Sequence, residues 1–221
     1  MEKQNQAQWE PIKADVKTVS WKGDPLYLKN VPAIKNVRTG LICFDPGDVA
    51  KAELDLYAEK NGITSRDIPI LLMLLARPGP FQEGQIPYKY HLNKMLFYQW
   101  KNMEKKGIAE TFVHDQFEAD VKGPVPKNLG SDLQRLEKLG IVSLCYKKWG
   151  KGEKDGSLQI ALTQKGGQIA SNLAGVLPDP LKKITVDVKK DLFPLDPLQL
   201  REKVHEEYPE YQKVFTQIDR E

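Results

Sequence analysis

The chain has 221 residues, 40% hydrophobic and 29% charged, which is enough to bury a real core in one large domain or in one domain plus a smaller appendage. Its 33 Lys/Arg against 30 Asp/Glu leave a net charge of only +3, too small to decide for or against a polyanionic partner. The two cysteines, Cys43 and Cys145, make no metal-ligand spacing and no redox motif. The polar Met1–Gln8 is no secretory signal, and the longest apolar run, Ile68 to Ala76, is far too short to span a bilayer, so a cytoplasmic protein with no membrane partner is the expectation.

In chain order, Met1–Gln8 is expected to be disordered. Residues 9–46 hold short apolar runs between Pro and Gly. Val16 to Trp21, Leu26 to Leu28 and Gly40 to Phe44 read as two or three short strands. Asp48 to Asn61 reads as a helix, with Val49, Ala52, Leu56 and Tyr57 at helical spacing and Gly62 as its stop. A second helix, Arg66 to Arg77, is expected to be capped by Ser65 or Thr64 and carries Pro69 in its first turn. Tyr88 to Lys106 is a third, with Leu92, Met95, Leu96, Gln99, Trp100 and Met103 on a broad face and Gly107 as terminator. Phe112 to Val121 alternates loosely and reads as a short strand. Gly123-Pro124-Val125-Pro126 is a turn that launches the next helix, which runs to Leu139 with Gly140 as its left-handed cap.

Ile141 to Lys148 and Ser157 to Thr163 are β-rich, and the strand setting suggests a buried Cys145; a single disulfide to Cys43 stays open. Gln164 to Leu173 is helical. Pro178 to Pro197 is proline-rich and expected to wrap the surface around one strand, Ile184 to Val188. Pro197 to Tyr208 and Tyr211 to Ile218 read as short terminal helices.

Helix, two strands around a lysine-rich loop, and helix again, from Val125 to Asn172, is the layout of a winged helix. The fold class is therefore α+β and mostly helical: a winged helix-turn-helix over 47–177, a small β-rich extension over 1–46, and a C-terminal wrap with short helices over 178–221. Leu129, Leu133, Leu136 and Leu139 form a continuous helical stripe for the core. The other side offers Lys127, Asn128, Ser131, Gln134, Arg135 and Lys138, with Asp132 and Glu137 expected on the flanks. Lys and Arg suit phosphates, and Arg, Asn and Gln can read base edges. An ordinary amphipathic surface helix would show the same pattern.

The loop adds Lys147, Lys148, Lys151 and Lys154, a density of like charge that a hairpin tip does not need for folding. A phosphate-facing wing explains it; so would protection of an exposed strand edge. Trp149 either stacks on sugar or base or packs back on the helix at 88–106. From Lys122 to Gln168 there are nine basic residues against four acidic ones, whereas Asp196 to Glu221 has four against seven.

The run Leu139-Gly140-Ile141-Val142 and the ending Ile160-Ala161-Leu162-Thr163-Gln164-Lys165-Gly166 resemble the L-G-hydrophobic … L-T-x-K-G close of many winged-helix regulators. Lys94-Met95-Leu96-Phe97-Tyr98, Phe117 and Lys122-Gly123-Pro124-Val125-Pro126 are similar to the K-L-L-Y … F … Y-G-P-V-P pattern of the Panacea domain, the SocA-like antitoxin and regulator family. Leu200 to Tyr211, with His205 and Pro209, resembles that family's close. Lys122 stands where the pattern has an aromatic, and the segment before Gly47 lies outside the likeness. The resemblance implies a winged-helix fold and a protein partner such as a toxin.

Catalytic signatures are lacking. His91, His114 and His205 are scattered, no Ser/His/Asp order stands out, and Gly150-x-Gly152-x-x-x-Gly156 joins two strands rather than a strand and a helix. The expectation is a non-enzymatic, cofactor-free transcriptional regulator. It binds double-stranded DNA through Lys127, Asn128, Ser131, Gln134, Arg135, Lys138, Lys147, Lys148, Trp149, Lys151 and Lys154. The alternative is an antitoxin-type module that neutralises or recruits a protein. The oligomeric state is open, a homodimer included.

Overall fold

The computed structural model describes residues 8–19, 25–76, 85–86, 88–108, 115–148, 156–177 and 179–212. They form an α+β fold of helices and small antiparallel sheets. Among them no helix is long and apolar enough to cross a membrane.

The N-terminal sheet has the order β1 (Trp9–Val19), β2 (Pro25–Asn36), β3 (Ile42–Phe44). The expected short strands are parts of one long ribbon. In β1, Ile12, Ala14, Val16 and Thr18 are half-buried, while Lys13, Asp15 and Lys17 between them are exposed, a period of two. In β2 the register shifts beside Asp15, where Lys29 and Asn30 together stand opposite one residue. Asn30 takes the left-handed conformation (φ 56), its N–H donates to Asp15 Oδ1 (3.0 Å), and the Tyr27 hydroxyl donates to Asp15 Oδ2 (2.5 Å). Leu28, Val31 and Ala33 are buried, and β2 packs on the first helix, α1 (Pro46–Lys60).

Helix α1 is capped by Asp45, which accepts from Gly47 N at 2.7 Å. It ends as α3 (Lys89–Lys105) and α4 (Leu129–Lys138) do. A left-handed glycine (Gly62, Gly107, Gly140) lets the next residue's N–H return to a carbonyl five residues back: Ile63 to Ala58, Ile108 to Met103, Ile141 to Leu136.

Helix α2 (Asp67–Leu75) is capped from inside rather than by Ser65 or Thr64. The Asp67 carboxylate accepts from Thr64 N (2.6 Å) and Oγ1 (3.0 Å), while Ser65 donates to Asp55. Helix α3 is buried continuously from His91 to Gln99, so its broad face closes into a full circle. The helices α2, α6 (Asp179–Leu192) and α7 (Pro197–Glu207) pack against it.

Two expectations fail around α6. The proposed strand Ile184 to Val188 lies inside this helix, and the segment does not wrap the surface. Leu181, Ile184, Val188 and Leu192 recur at helical spacing and are buried, and Gln99 Nε2 donates to Thr185 Oγ1 at 2.7 Å. The prolines that suggested a loop, Pro180, Pro194 and Pro197, sit at helix ends, where a missing N–H costs little. Helix α7 carries a full capping box, Asp196 with Gln199, and a 3-10 turn (Pro209–Tyr211) follows it. One apolar cluster runs from Leu54 to Tyr208.

The second sheet has the order β4–β8–β7: β4 (Gln85–Ile86), β7 (Val142–Lys148) and β8 (Gly156–Leu162), all neighbours antiparallel. Cys145 is exposed, because Val142 and Leu144 take the inward positions of β7 and leave it on the other face; both cysteines are free. A small ladder pairs β5 (Phe117–Glu118) with β6 (Val125–Pro126), so Val125 and Pro126 are strand rather than a turn. Of the expected strand Phe112 to Val121, only Phe117–Glu118 is strand among the described residues, and 112–114 lie outside them, as do Met1–Ala7, Arg77 and the helix expected after Tyr211 beyond Gln212.

Helix α5 (Gln164–Val176) starts at Thr163, whose hydroxyl accepts from Gly166 N at 3.0 Å. A Cβ on Gly166 would collide with the Ile141 carbonyl, whereas Gly167 faces open space. Gly166→Ala is expected to lower stability by at least ~2 kcal/mol, and Gly167→Ala to raise it by roughly 0.5–1 kcal/mol. Urea unfolding midpoints of the two variants test this, and equal midpoints contradict it.

Candidate nucleic-acid interface

Helix α4 buries Leu129, Leu133 and Leu136 and half-buries Leu139, as its stripe requires. It begins three residues later than the sequence suggested. Pro126 pairs with Phe117, Lys127 N donates to Gln116 O, and Asn128 binds the Asp115 carboxylate through N (2.6 Å) and Nδ2 (2.8 Å). Lys127 and Asn128 thus form the approach to the helix. Lys127 is exposed and stands 3.8 Å from Glu118, while Asn128 is tied down. Ser131, Gln134 and Lys138 are exposed at offsets of three and four, and make one outward line. Ser131 Oγ donates to Asn128 O (2.8 Å).

Arg135 does not join that line. Its guanidinium donates to both oxygens of Asp67 (2.5 and 2.7 Å) and lies 3.4 Å from Asp132. Asp67 is fully buried. Asp132, expected on a flank, is buried too and also pairs with Arg66 at 3.0 Å. Glu137 turns toward the sheet and accepts from Leu144 N at 3.3 Å.

The hairpin leaves the C-terminal end of α4 directly. Its two roots are joined by Thr163 N to Ile141 O (3.1 Å) and by the Thr163 hydroxyl to Gly140 O (2.7 Å), and Lys165 Nζ donates to Leu139 O (2.9 Å) at the negative end of α4. Lys147 and Lys148 close β7 opposite Ser157 and Gly156. Trp149, Lys151 and Lys154 lie outside the described residues, and with them both readings of Trp149.

A second cluster was not legible as a site. Lys94, Gly123-Pro124 and His205 come from three separate segments and meet in one buried joint. Lys94 is fully buried, donates to Pro124 O at 2.8 Å and lies 4.9 Å from the Tyr90 ring centre. Gly123 has φ +83, and a Cβ there would meet Val204, Lys94 Nζ and His205 Nε2. Burial pulls the Lys94 ammonium down to about 7. Burial also lowers His205, helped by the Arg201 and Lys94 charges, and its buried Nε2 has no hydrogen-bond partner among the described residues. A second buried lysine, Lys189, donates to Met73 O and Leu74 O at the end of α2 and is pulled down to about 8 by burial. Spacing gives no hint of either, since each acceptor is a backbone carbonyl distant in sequence.

Among the described residues no group of three or more His, Cys, Asp or Glu side chains could hold a metal ion. The chain matches no protein-family model, no curated protein and no solved structure.

Two outcomes follow from this chemistry. Arg135→Ala leaves the buried Asp67 uncompensated and should lower stability by about 3 kcal/mol, whereas Lys138→Ala should stay within ~0.5 kcal/mol; chemical denaturation distinguishes them. For Lys94 and Lys189 the folded proton affinity lies below the unfolded one, so the unfolded chain binds more protons between about 7 and the ordinary lysine value of 10.5. Stability should therefore rise with pH across that window and fall as pH drops through it. Urea midpoints at about pH 7 and about pH 9 read the effect, and Lys94→Met should reduce it, leaving the part that Lys189 contributes.

Proposed function

We propose that this chain is a DNA-binding winged-helix protein that acts in transcriptional control, a binding rather than a catalytic role. The observation that carries the reading is the continuity of α4 with the β7–β8 hairpin. A helix with a buried leucine stripe and an outward line of Ser131, Gln134 and Lys138 passes through Gly140 straight into two strands whose connecting sequence holds Lys151 and Lys154. The element order α2–β4–α3–α4–β7–β8, interrupted only by the short β5–β6 ladder between α3 and α4, and the strand order β4–β8–β7 support the winged-helix assignment and fit the Panacea-like resemblance.

In this reading α4 enters the major groove. Gln134 is the side chain placed to read a base edge, Lys127 and Lys138 meet phosphates, and the hairpin lysines touch the adjacent backbone. Arg135 is half-buried with its guanidinium committed to Asp67 and Asp132, and drops out of the contact set.

Fluorescence anisotropy with a labelled duplex tests this. With about six phosphate contacts, affinity should fall roughly 1000-fold between about 50 and about 200 mM salt. Reversing Lys147, Lys148, Lys151 and Lys154 to Glu should abolish binding, and Lys138→Glu should weaken it. No binding at low salt, or binding indifferent to the reversals, defeats the proposal.

A second reading, a module that holds a protein partner such as a toxin, is favoured by where apolar side chains face solvent. Of the ten exposed large hydrophobic residues among those described, seven lie in the N-terminal sheet and its tight turn: Trp9, Val19, Tyr27, Ile34, Val37, Leu41 and Ile42.

A further inference from the structure

Strand β1 is an edge of the N-terminal sheet and, among the described residues, pairs only with β2. Val37 N donates to Gln8 O at 3.0 Å, so the even-numbered residues along this strand turn their N–H and C=O groups toward β2. Those of Trp9, Lys13, Asp15, Lys17 and Val19 turn to the free edge, as does the C=O of Pro11, which has no N–H to give. The side chains of these odd-numbered residues are exposed on the outer face. Ile12, Ala14, Val16 and Thr18 lie on the inner face and are only half-buried, because α1 packs chiefly on β2.

Along the free edge the charges alternate: Lys13 positive, Asp15 negative, Lys17 positive. Asp15 keeps its charge, since the Tyr27 hydroxyl and Asn30 N are neutral donors that stabilise the carboxylate form. A strand with this pattern can complement itself. Two copies paired antiparallel are related by a two-fold axis, and the residue on the axis fixes the register. An axis that falls between residues sets charged outer side chains opposite the apolar inner row and is excluded. An axis at Asp15 sets that carboxylate against its own copy and each Lys13 against a Lys17. Only axes at Ala14 and Val16 place Asp15 across from a lysine. With Ala14 on the axis, Pro11 enters the ladder opposite Lys17, where its missing donor breaks the pairing. With Val16 on the axis, Asp15 meets Lys17 twice, Lys13 meets Val19, Ala14 meets Thr18, and Pro11 lies beyond the end.

We propose that β1 pairs antiparallel with β1 of a second copy of this chain, with Val16 on the two-fold axis and Pro11 as the stop that excludes the competing register. The stretch from Lys13 to Val19 then exchanges about eight main-chain hydrogen bonds and two Asp15–Lys17 ion pairs. The two sheets become one, and the half-buried inner rows of both β1 strands gain an apolar neighbour. The helices do not collide. Each α1 sits over its own β2, so three strand spacings, about 14 Å, separate them, against the 8–10 Å or so of packed helices. An edge this short buries less than the ~800 Å² per partner of a standard interface, which makes the dimer weak and concentration-dependent. It uses the strand edge, and neither α4 nor the apolar outer face, so it stands apart from both readings of the function.

Sedimentation equilibrium of the full-length protein over a concentration series tests the association, and cysteine cross-linking tests the register. A reversible dimer is expected. K17E turns both ion pairs into repulsions and should weaken the dimer about tenfold, in keeping with exposed pairs worth up to ~1 kcal/mol each, with unchanged circular dichroism. In a C43S/C145S background, V16C should form an intermolecular disulfide under mild oxidation, since Cα atoms of a non-hydrogen-bonded pair stand about 4.5 Å apart. A14C, which faces Thr18 of the other copy, should not. A protein that stays monomeric up to about 1 mM overturns the proposal. So does a dimer indifferent to K17E, a dimer in which V16C fails to cross-link, or one that cross-links through A14C.

Discussion

The structure turns on one buried carboxylate. Asp67 has no exposure to solvent, and an isolated charge there would be costly enough to disfavour the fold. Arg135 makes it tolerable by donating to both oxygens, while Thr64 closes the remaining acceptor positions through N and Oγ1. Asp132 and Arg66 extend the network, so the start of α2 and the middle of α4 are bound by charge as well as by leucines. The direction in which Ser131, Gln134 and Lys138 face solvent is set from this inner side. Arg135, one of the residues read in sequence as a DNA ligand, is thus tied to the fold beneath the helix that carries the others.

Polar groups inside the helical core follow the same logic. Lys94 and Lys189 are fully buried, yet each finds backbone carbonyls: Pro124 for one, Met73 and Leu74 at the end of α2 for the other. A lysine reaching the last carbonyls of a helix satisfies acceptors that have no intrahelical partner and lies along the favourable end of the dipole. Gly123 permits the first of these arrangements by leaving room for Lys94 and His205 together.

What could be read from the sequence was local. The glycine stops at 62, 107 and 140, the leucine stripe of α4 and the two strands of the hairpin depend on near neighbours, and their signals survive folding. Non-local features were silent. Asp67 lies 68 residues before Arg135, so no spacing rule could link them. Ile184-Thr185-Val186-Asp187-Val188 has the β-branched composition of a strand, and only burial against α3 makes it helix, a tertiary override of propensity. In β1 a clean alternation was masked by Pro11 and by three charged residues on the outer face. Cys145 was misplaced because an apolar run does not say which of its two faces turns inward.

The base of the β7–β8 hairpin is closed by the start of α5. Thr163, Lys165 and Gly166 all close on residues 139–141, from three directions and largely through main-chain carbonyls. Such a fulcrum clamps the point where β7 leaves α4 to the point where β8 enters α5, so the register of the two strands is set at their shared root.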